Sequence, residues 1–326
     1  MKNQEKIFVI GHKNPDTDSI CSAIAYCDIK NRTTQESRYI PKRAGQINEE
    51  TEYVLNRFGV HPPGYLSNIG TQVKDMDIRL SPEANKSMSL KNAWDLMQEN
   101  SIVSLPIREK DGTLEGLITI GDIAKTYMDT TDSYLLSRAR TQYQRIAETI
   151  GGKVIEGNAH GYFIQGKIMV ATANPDKMKE YVEENDMVIM GNREEDHLQA
   201  IEQNVSCIIV GMGIEVTEKV LKLAHEKDIV IISSPYDTFT ISRLINQSIP
   251  VKYIMKTDTL VTFNTEDFTD DIQEVMIKHR HRAFPVINKK GKCIGTISRR
   301  NFLDMHKKKV VLVDHNEVDQ AVDNIE

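Results

Sequence analysis

The chain is 326 residues long, 40% apolar, 27% charged and 6% aromatic, with a formal charge of -6 and a pI near 5.9. This composition is that of an ordinary soluble globular chain of two to four domains; it gives no sign of a fibre or a disordered segment, and its acidity argues against a general nucleic-acid binder. The cysteines Cys21, Cys27, Cys207 and Cys293 show no Cys-x-x-Cys spacing, so reduced structural thiols are expected rather than a disulfide framework or a zinc knuckle. The longest apolar runs are strand length and the amino terminus leads directly into one, so neither membrane insertion nor export is expected and the location is cytoplasmic.

The first predicted elements are a strand at 7–10, a helix from about Ser19 to Ile29, a strand in SRYIPKRAG and a helix from about Asn48 to Phe58. This βαβα alternation opens a parallel α/β domain. The first strand ends abruptly in GHKNPDTDS, delivering His12, Asp16 and Asp18 from one loop at the carboxyl edge of the sheet. Imidazole with several carboxylates suits manganese, cobalt or magnesium better than a thiolate zinc site. A structural alternative stands beside this: N-P-D-T-D could be a solvated turn with Asp18 or Ser19 capping the helix. Near FGVHPPGYLSN the pattern breaks at a double proline and a glycine, which places a boundary near residue 65.

An internal repeat follows. LMQENSIVSLPIREKDGTLEGLITIGDI matches VMIKHRHRAFPVINKKGKCIGTISRRNF without a gap: Met97 and Met276, Pro106 and Pro285, Gly116 and Gly295, and Thr119 and Ser298 all stand 179 residues apart. Two copies of one βαββα unit are therefore expected, at about 71–128 and 250–306. Each is too small to bury a core alone, so the copies should pair and leave clefts between them. Arg299 and Arg300 in the second copy could steer phosphates, whereas HRHR at 279–282 reads equally as a solvated helix end. Between the copies, residues 130–248 alternate again: VIMGN, a helix through His197, CIIVGMG, a helix from Thr217 to Lys227, IVIISS and TFTISRLINQ. Without a phosphate-binding loop or nucleophile elbow this α/β domain has no assigned chemistry, and its isolated His160 and His197 read as structural or solvated. The last predicted strand, KKKVVLVDHNE, again stops in acidic and amide residues, so Asp314 can meet the first loop and bridge a metal pair.

These segments resemble known families. The repeat units resemble CBS domains, with GLITIGD (Gly116 to Asp122) matching the nucleotide motif of that family. By spacing alone Thr119 and Asp122 read as caps of the following helix; the resemblance implies that the Thr119 hydroxyl meets phosphate and that Asp122 accepts from ribose hydroxyls. The second copy has Ser298 and Asn301 at those places, which implies unequal sites, since an amide lacks the charge-assisted strength of a carboxylate. Residues 130–248 resemble the DRTGG domain, through GNREED and PYDTFTISRLI. The stretches GHKNPDTDSICSAIAY, KRAGQINEETEYVLNRFG and VVLVDHNE resemble the first half of a family II inorganic pyrophosphatase catalytic domain, of the DHH phosphoesterase superfamily.

That resemblance implies an α/β fold in which a partial parallel-sheet DHH domain (1–65 and 309–326) is interrupted by CBS, DRTGG and CBS units. It implies manganese-dependent hydrolysis of pyrophosphate (cobalt and magnesium are the other candidates, with two or more ions in a complete site). His12 and Asp16 would hold one metal, Asp18 the second and Asp314 both, with His315 and Asn316 near the site. Adenine nucleotides (AMP, ADP, ATP or dinucleoside polyphosphates) would regulate it through the CBS pair, and the chain would dimerise there. The family's later DHH triplet and carboxyl-terminal substrate domain do not follow VDHNE, so an incomplete catalytic domain with little activity of its own is expected. Two other readings stay open: another DHH-type phosphoesterase acting on oligonucleotides or polyphosphate, and a non-catalytic adenylate sensor.

Overall fold

The computed structural model describes residues 6–35, 37–66, 70–128, 132–171, 175–258, 260–279, 281–303 and 309–313. They fall into two compact units, one drawn from residues 1–78, 263–281 and 297–326, the other from 79–262 and 282–296.

The first unit contains a parallel sheet ordered Lys309–Leu312, Ile7–Ile10, Tyr39–Arg43 and Gly64–Tyr65. Val9 lies opposite Val311, so the two apolar runs that bracket the chain are neighbouring strands. About three strands were expected; the fourth, Gly64–Tyr65, is only two residues long and sits in the Pro-Gly stretch that signals a break. The helix runs over Thr17–Thr34, further than expected, because the polar KNRTT segment continues on the solvent side until Gln35 turns left-handed at φ 54°. It buries Ala23 and Cys27 against Val9, with Tyr26, Tyr39 and Val311 alongside. A second helix, Glu49–Arg57, is capped by the Asn48 side chain.

The second unit is built around a five-stranded sheet ordered Ile168–Val170, Met187–Met190, Cys207–Val210, Val230–Ser233 and Lys153–Glu156; the last strand is antiparallel and the others are parallel. The strands MVIM and CIIV are wholly buried because both faces are covered. Met187, Ile189, Cys207, Ile209 and Ile232 pack on one face, and Val188, Met190, Ile208, Val210 and Ile231 on the other, as the two-residue strand period dictates. The first of these cores continues through Ala93, Met97, Leu105, Ile107 and Ile118 of the first repeat copy. That copy therefore shares its core with the intervening domain rather than burying one of its own.

Both repeat copies have the expected βαββα form, with helices Leu90–Glu99 and Thr269–Lys278 and strand pairs Ser104–Arg108/Leu114–Thr119 and Phe284–Ile287/Cys293–Ile297. The sequence did not reveal that the copies exchange their lead-in segments. Residues 249–256 run along the first copy, where Val251 N donates to Met88 O (2.8 Å) and Leu117 and Lys256 exchange both backbone hydrogen bonds (2.9 Å each). Residues 71–77 run along the second, where Val73 N donates to Asp267 O (3.0 Å) and Lys74 N to Thr265 O (2.9 Å). This crossing explains the repeated glycine: a Cβ on Gly116 would lie 2.8 Å from Met255 Sδ and 3.0 Å from Lys256 O. Gly295, its counterpart, pairs with Leu80 of the other lead-in.

All four cysteines are free, and no helix among the described residues is long and apolar enough to cross a membrane. In the five-stranded domain, His225 Nδ1 lies 3.0 Å from Glu156 Oε1 and ties the helix Glu218–Glu226 to the antiparallel edge strand. The hydrogen bond and charge of Glu156 hold the imidazole above its ordinary 6.5, and the same hydrogen bond holds Glu156 below 4.5. A raised histidine stabilises below its unfolded value and loses that contribution as pH rises through the folded one; a lowered carboxylate loses its contribution as pH falls. The pair therefore contributes fully between 4.5 and 6.5. His225→Gln is expected to lower the melting temperature slightly at about pH 6 and not at about pH 9. An equal decrement at both would refute the pairing.

Candidate metal loop and nucleotide clefts

The loop after the first strand is tightly constrained. A Cβ on Gly11 would fall 1.8 Å from Ser19 Oγ, so the first helical turn packs directly on the backbone there. This draws His12 inward to 7% exposure. Asp16 is the N-cap, with extended φ and ψ of -90° and -177°, and its Oδ1 accepts from Ser19 N at 2.8 Å. The capping residue is thus Asp16, where the structural reading had named Asp18 or Ser19, because the helix begins two residues earlier than expected. The same Oδ1 lies 3.4 Å from His12 Nε2, so one imidazole nitrogen and one carboxylate oxygen meet on this loop. Asp18 is exposed in the first turn, where its charge adds to burial in raising the Cys21 thiol.

Val313 N donates to Ile10 O at 2.9 Å, so the Lys309–Leu312 strand ends beside the start of this loop. Asp314, His315 and Asn316 lie outside the described residues. Among the described residues, no group of three or more His, Cys, Asp or Glu could hold a metal ion. The local chemistry nonetheless suits a divalent ion: a buried imidazole faces a carboxylate, and Ser19 Oγ is a buried polar atom without a hydrogen-bond partner.

The clefts of the two repeats have related geometry. At the end of strand Leu114–Thr119, Asp122 Oδ2 accepts from both Thr119 N (2.9 Å) and Thr119 Oγ1 (2.6 Å), and Asp122 N donates to Thr119 Oγ1 (3.2 Å). Asp122 Oδ1 lies 3.1 Å from Lys256 Nζ. In the second copy, Asn301 Oδ1 accepts from Ser298 N (2.7 Å) and Ser298 Oγ (2.8 Å). Its Nδ2 donates to the backbone carbonyl of Asp77 (2.6 Å). Both motifs thus fix the start of the following helix and present a polar side chain at the same point, one charged and one neutral. The Arg299 guanidinium is turned toward the helix Thr269–Lys278, donating through Nη2 to Met276 O (2.6 Å) and His279 O (2.9 Å), while Arg300 is exposed.

Lys256 was missed in the sequence. The offset of 179 could have exposed it, since it places Lys256 opposite Asp77 just after the aligned Met76 and Met255. His197, by contrast, is buried and structural, with Nε2 2.8 Å from Gly191 O, and His160 is exposed.

Family models match the CBS domain at residues 77–129 and 251–308 and the DRTGG domain at residues 145–248. The chain is 38% identical over 324 residues to the cobalt-dependent inorganic pyrophosphatase of Clostridium perfringens, covering 99% of this chain and 59% of that protein. It is 30% identical over 326 residues to the probable manganese-dependent inorganic pyrophosphatase of Thermotoga maritima, covering 100% of this chain and 59% of the relative. It thus spans about three fifths of the length of these curated relatives. A solved structure of the CBS and DRTGG domains of the regulatory region of the C. perfringens pyrophosphatase, complexed with the activator diadenosine tetraphosphate, matches with a TM-score of 0.67. That match has 33% identity and covers 70% of this chain and 100% of that one.

Two CBS domains separated by a DRTGG domain define a protein of the CBS regulatory class. The chain belongs to the inorganic pyrophosphatase family whose regulatory region has this CBS and DRTGG composition.

Proposed function

We propose that this chain serves the manganese- or cobalt-dependent hydrolysis of inorganic pyrophosphate to phosphate, under the control of adenine nucleotides bound by its CBS pair. The observation that supports the catalytic half is the parallel pairing of Ile7–Ile10 with Lys309–Leu312, which ends both strands at one sheet edge, with Val313 beside Ile10. His12 and Asp16 would hold one ion, Asp18 a second and Asp314 both. Divalent ions bound there supply Lewis acidity at phosphorus and an activated water. The chain's own part is to orient donors: Gly11 lets the helix seat closely, and Asp16 is positioned by its N-cap bond to Ser19.

The proposal assigns Thr119 and Asp122 to the first nucleotide cleft and Ser298 and Asn301 to the second, with Arg299 and Arg300 near the phosphates. It includes a cytoplasmic location and a homodimer through the CBS units.

For the 326-residue chain by itself we expect weak metal binding and little turnover, because two of the assigned ligands, Asp16 and Asp18, are exposed carboxylates. Manganese binding, followed by loss of the free-ion paramagnetic resonance signal, is expected to weaken at least about tenfold in His12→Ala. Binding unchanged in both His12→Ala and Asp16→Asn would sink the metal assignment. Phosphate release from pyrophosphate, measured beside the C. perfringens enzyme, tests the turnover expectation, and comparable rates would refute it.

A second reading, an adenylate sensor without hydrolysis, would rest on the two CBS units alone. It requires nucleotide binding with no manganese uptake at His12.

A further inference from the structure

We infer that Lys256 is a specificity-determining residue of the first cleft, exchanging its partner from the Asp122 carboxylate to a ligand phosphate, so that this cleft selects nucleotides over nucleosides. The inference rests on the nucleotide reading proposed above and deepens it.

A carboxylate offers about four lone-pair directions. Thr119 N and Thr119 Oγ1 both donate to Asp122 Oδ2, and Lys256 Nζ lies 3.1 Å from Oδ1. Two ribose hydroxyls need two acceptor directions, and only one remains beside the lysine. The Thr119 contacts are fixed by the strand end and the helix start, whereas the Lys256 side chain is 55% exposed and can swing. Its Cα cannot leave, because Leu117 and Lys256 exchange two backbone hydrogen bonds of 2.9 Å. A ribose that engages Asp122 fully therefore displaces an ammonium that stays in the cleft without its counterion. A phosphate on the same ligand supplies a new one; a nucleoside does not.

The second copy provides an internal comparison. At the equivalent places stand Asn301 and Asp77, and the Asn301 amide donates to the Asp77 backbone carbonyl instead of pairing with a cation. An aspartate at 301 could not make that bond and would bring a second carboxylate to Asp77. The Asp122 carboxylate and the Lys256 cation occur together in the first copy, and an amide, Asn301, and Asp77 replace them in the second, so Lys256 belongs to the design of the first cleft.

The test is calorimetric titration of the 326-residue chain with AMP and with adenosine, in an Asn301→Ala background that leaves the first cleft as it is. Lys256→Met keeps the length of the side chain and removes the charge. It is expected to weaken AMP and tighten adenosine, shrinking the AMP-to-adenosine affinity ratio by about tenfold or more. Lys256→Arg should retain most of the ratio. A ratio unchanged in Lys256→Met, with AMP still bound, overturns the role of Lys256 and leaves the nucleotide reading intact. Failure of the Lys256-containing protein to bind AMP overturns the nucleotide reading, and the inference with it.

Discussion

Replacing Asp122 with alanine is expected to lower the affinity of the first cleft for adenine nucleotides about a hundredfold, whereas Asn301→Ala should weaken the second about tenfold. The difference follows from charge. Asp122 accepts from Thr119 through one oxygen and faces an ammonium at 3.1 Å through the other, and its removal costs the charge-assisted contacts to the ligand. Asn301 offers only neutral hydrogen bonds. Asp122→Asn separates shape from charge: the amide oxygen can still accept from Thr119, so the helix start persists while the ribose contact weakens. Calorimetric titration of each variant with AMP measures all three. Equal losses for Asp122→Ala and Asn301→Ala would show the two clefts to be equivalent and refute the asymmetry.

Gly166→Ala is expected to destabilise the five-stranded domain by about 3 kcal/mol or more. Gly166 has φ +95°, a conformation that L side chains rarely adopt, and an added Cβ would lie 2.1 Å from Asn185 O and 2.6 Å from Asn185 C. The neighbouring backbone cannot yield. Asn185 is itself left-handed at φ 69° and its N donates to Asn204 O at 2.9 Å; the carboxylate of Asp186, 1% exposed, accepts from Lys167 N and Glu183 N at 2.9 Å each. Gly191→Ala is the control, since a Cβ there meets nothing within 4 Å. It should shift stability by no more than about 0.5 kcal/mol. Denaturant midpoints for the two variants decide the matter: similar midpoints would mean that the Asn185 turn relaxes, and the clash argument would fail.

Much of the local structure was legible in the sequence because local rules set it. The strands Ile7–Ile10, Met187–Met190 and Cys207–Val210 are continuous apolar runs that only a covered sheet can use. The offset of 179 identified both repeat copies through positions such as Met97 and Met276, which the structure buries at 0% and 2% exposure. Short elements escaped: Gly64–Tyr65, Ile168–Val170 and Lys153–Glu156 are two to four residues long, and pairing partners far along the chain, rather than any periodicity of their own, make them strands.

Local spacing in the chain is enough to define the pieces: two acidic strand ends, two copies of one unit and an α/β domain between them. Periodicity and fixed spacing are properties of neighbouring residues, and they survive without knowledge of the fold. Which pieces share a space is set by the folded chain. It paired Val9 with Val311, passed the lead-in of each CBS copy to the other, and carried the Lys256 ammonium to Asp122. Each of these contacts joins residues more than a hundred positions apart, and such contacts follow from burial and backbone hydrogen bonding across the whole chain.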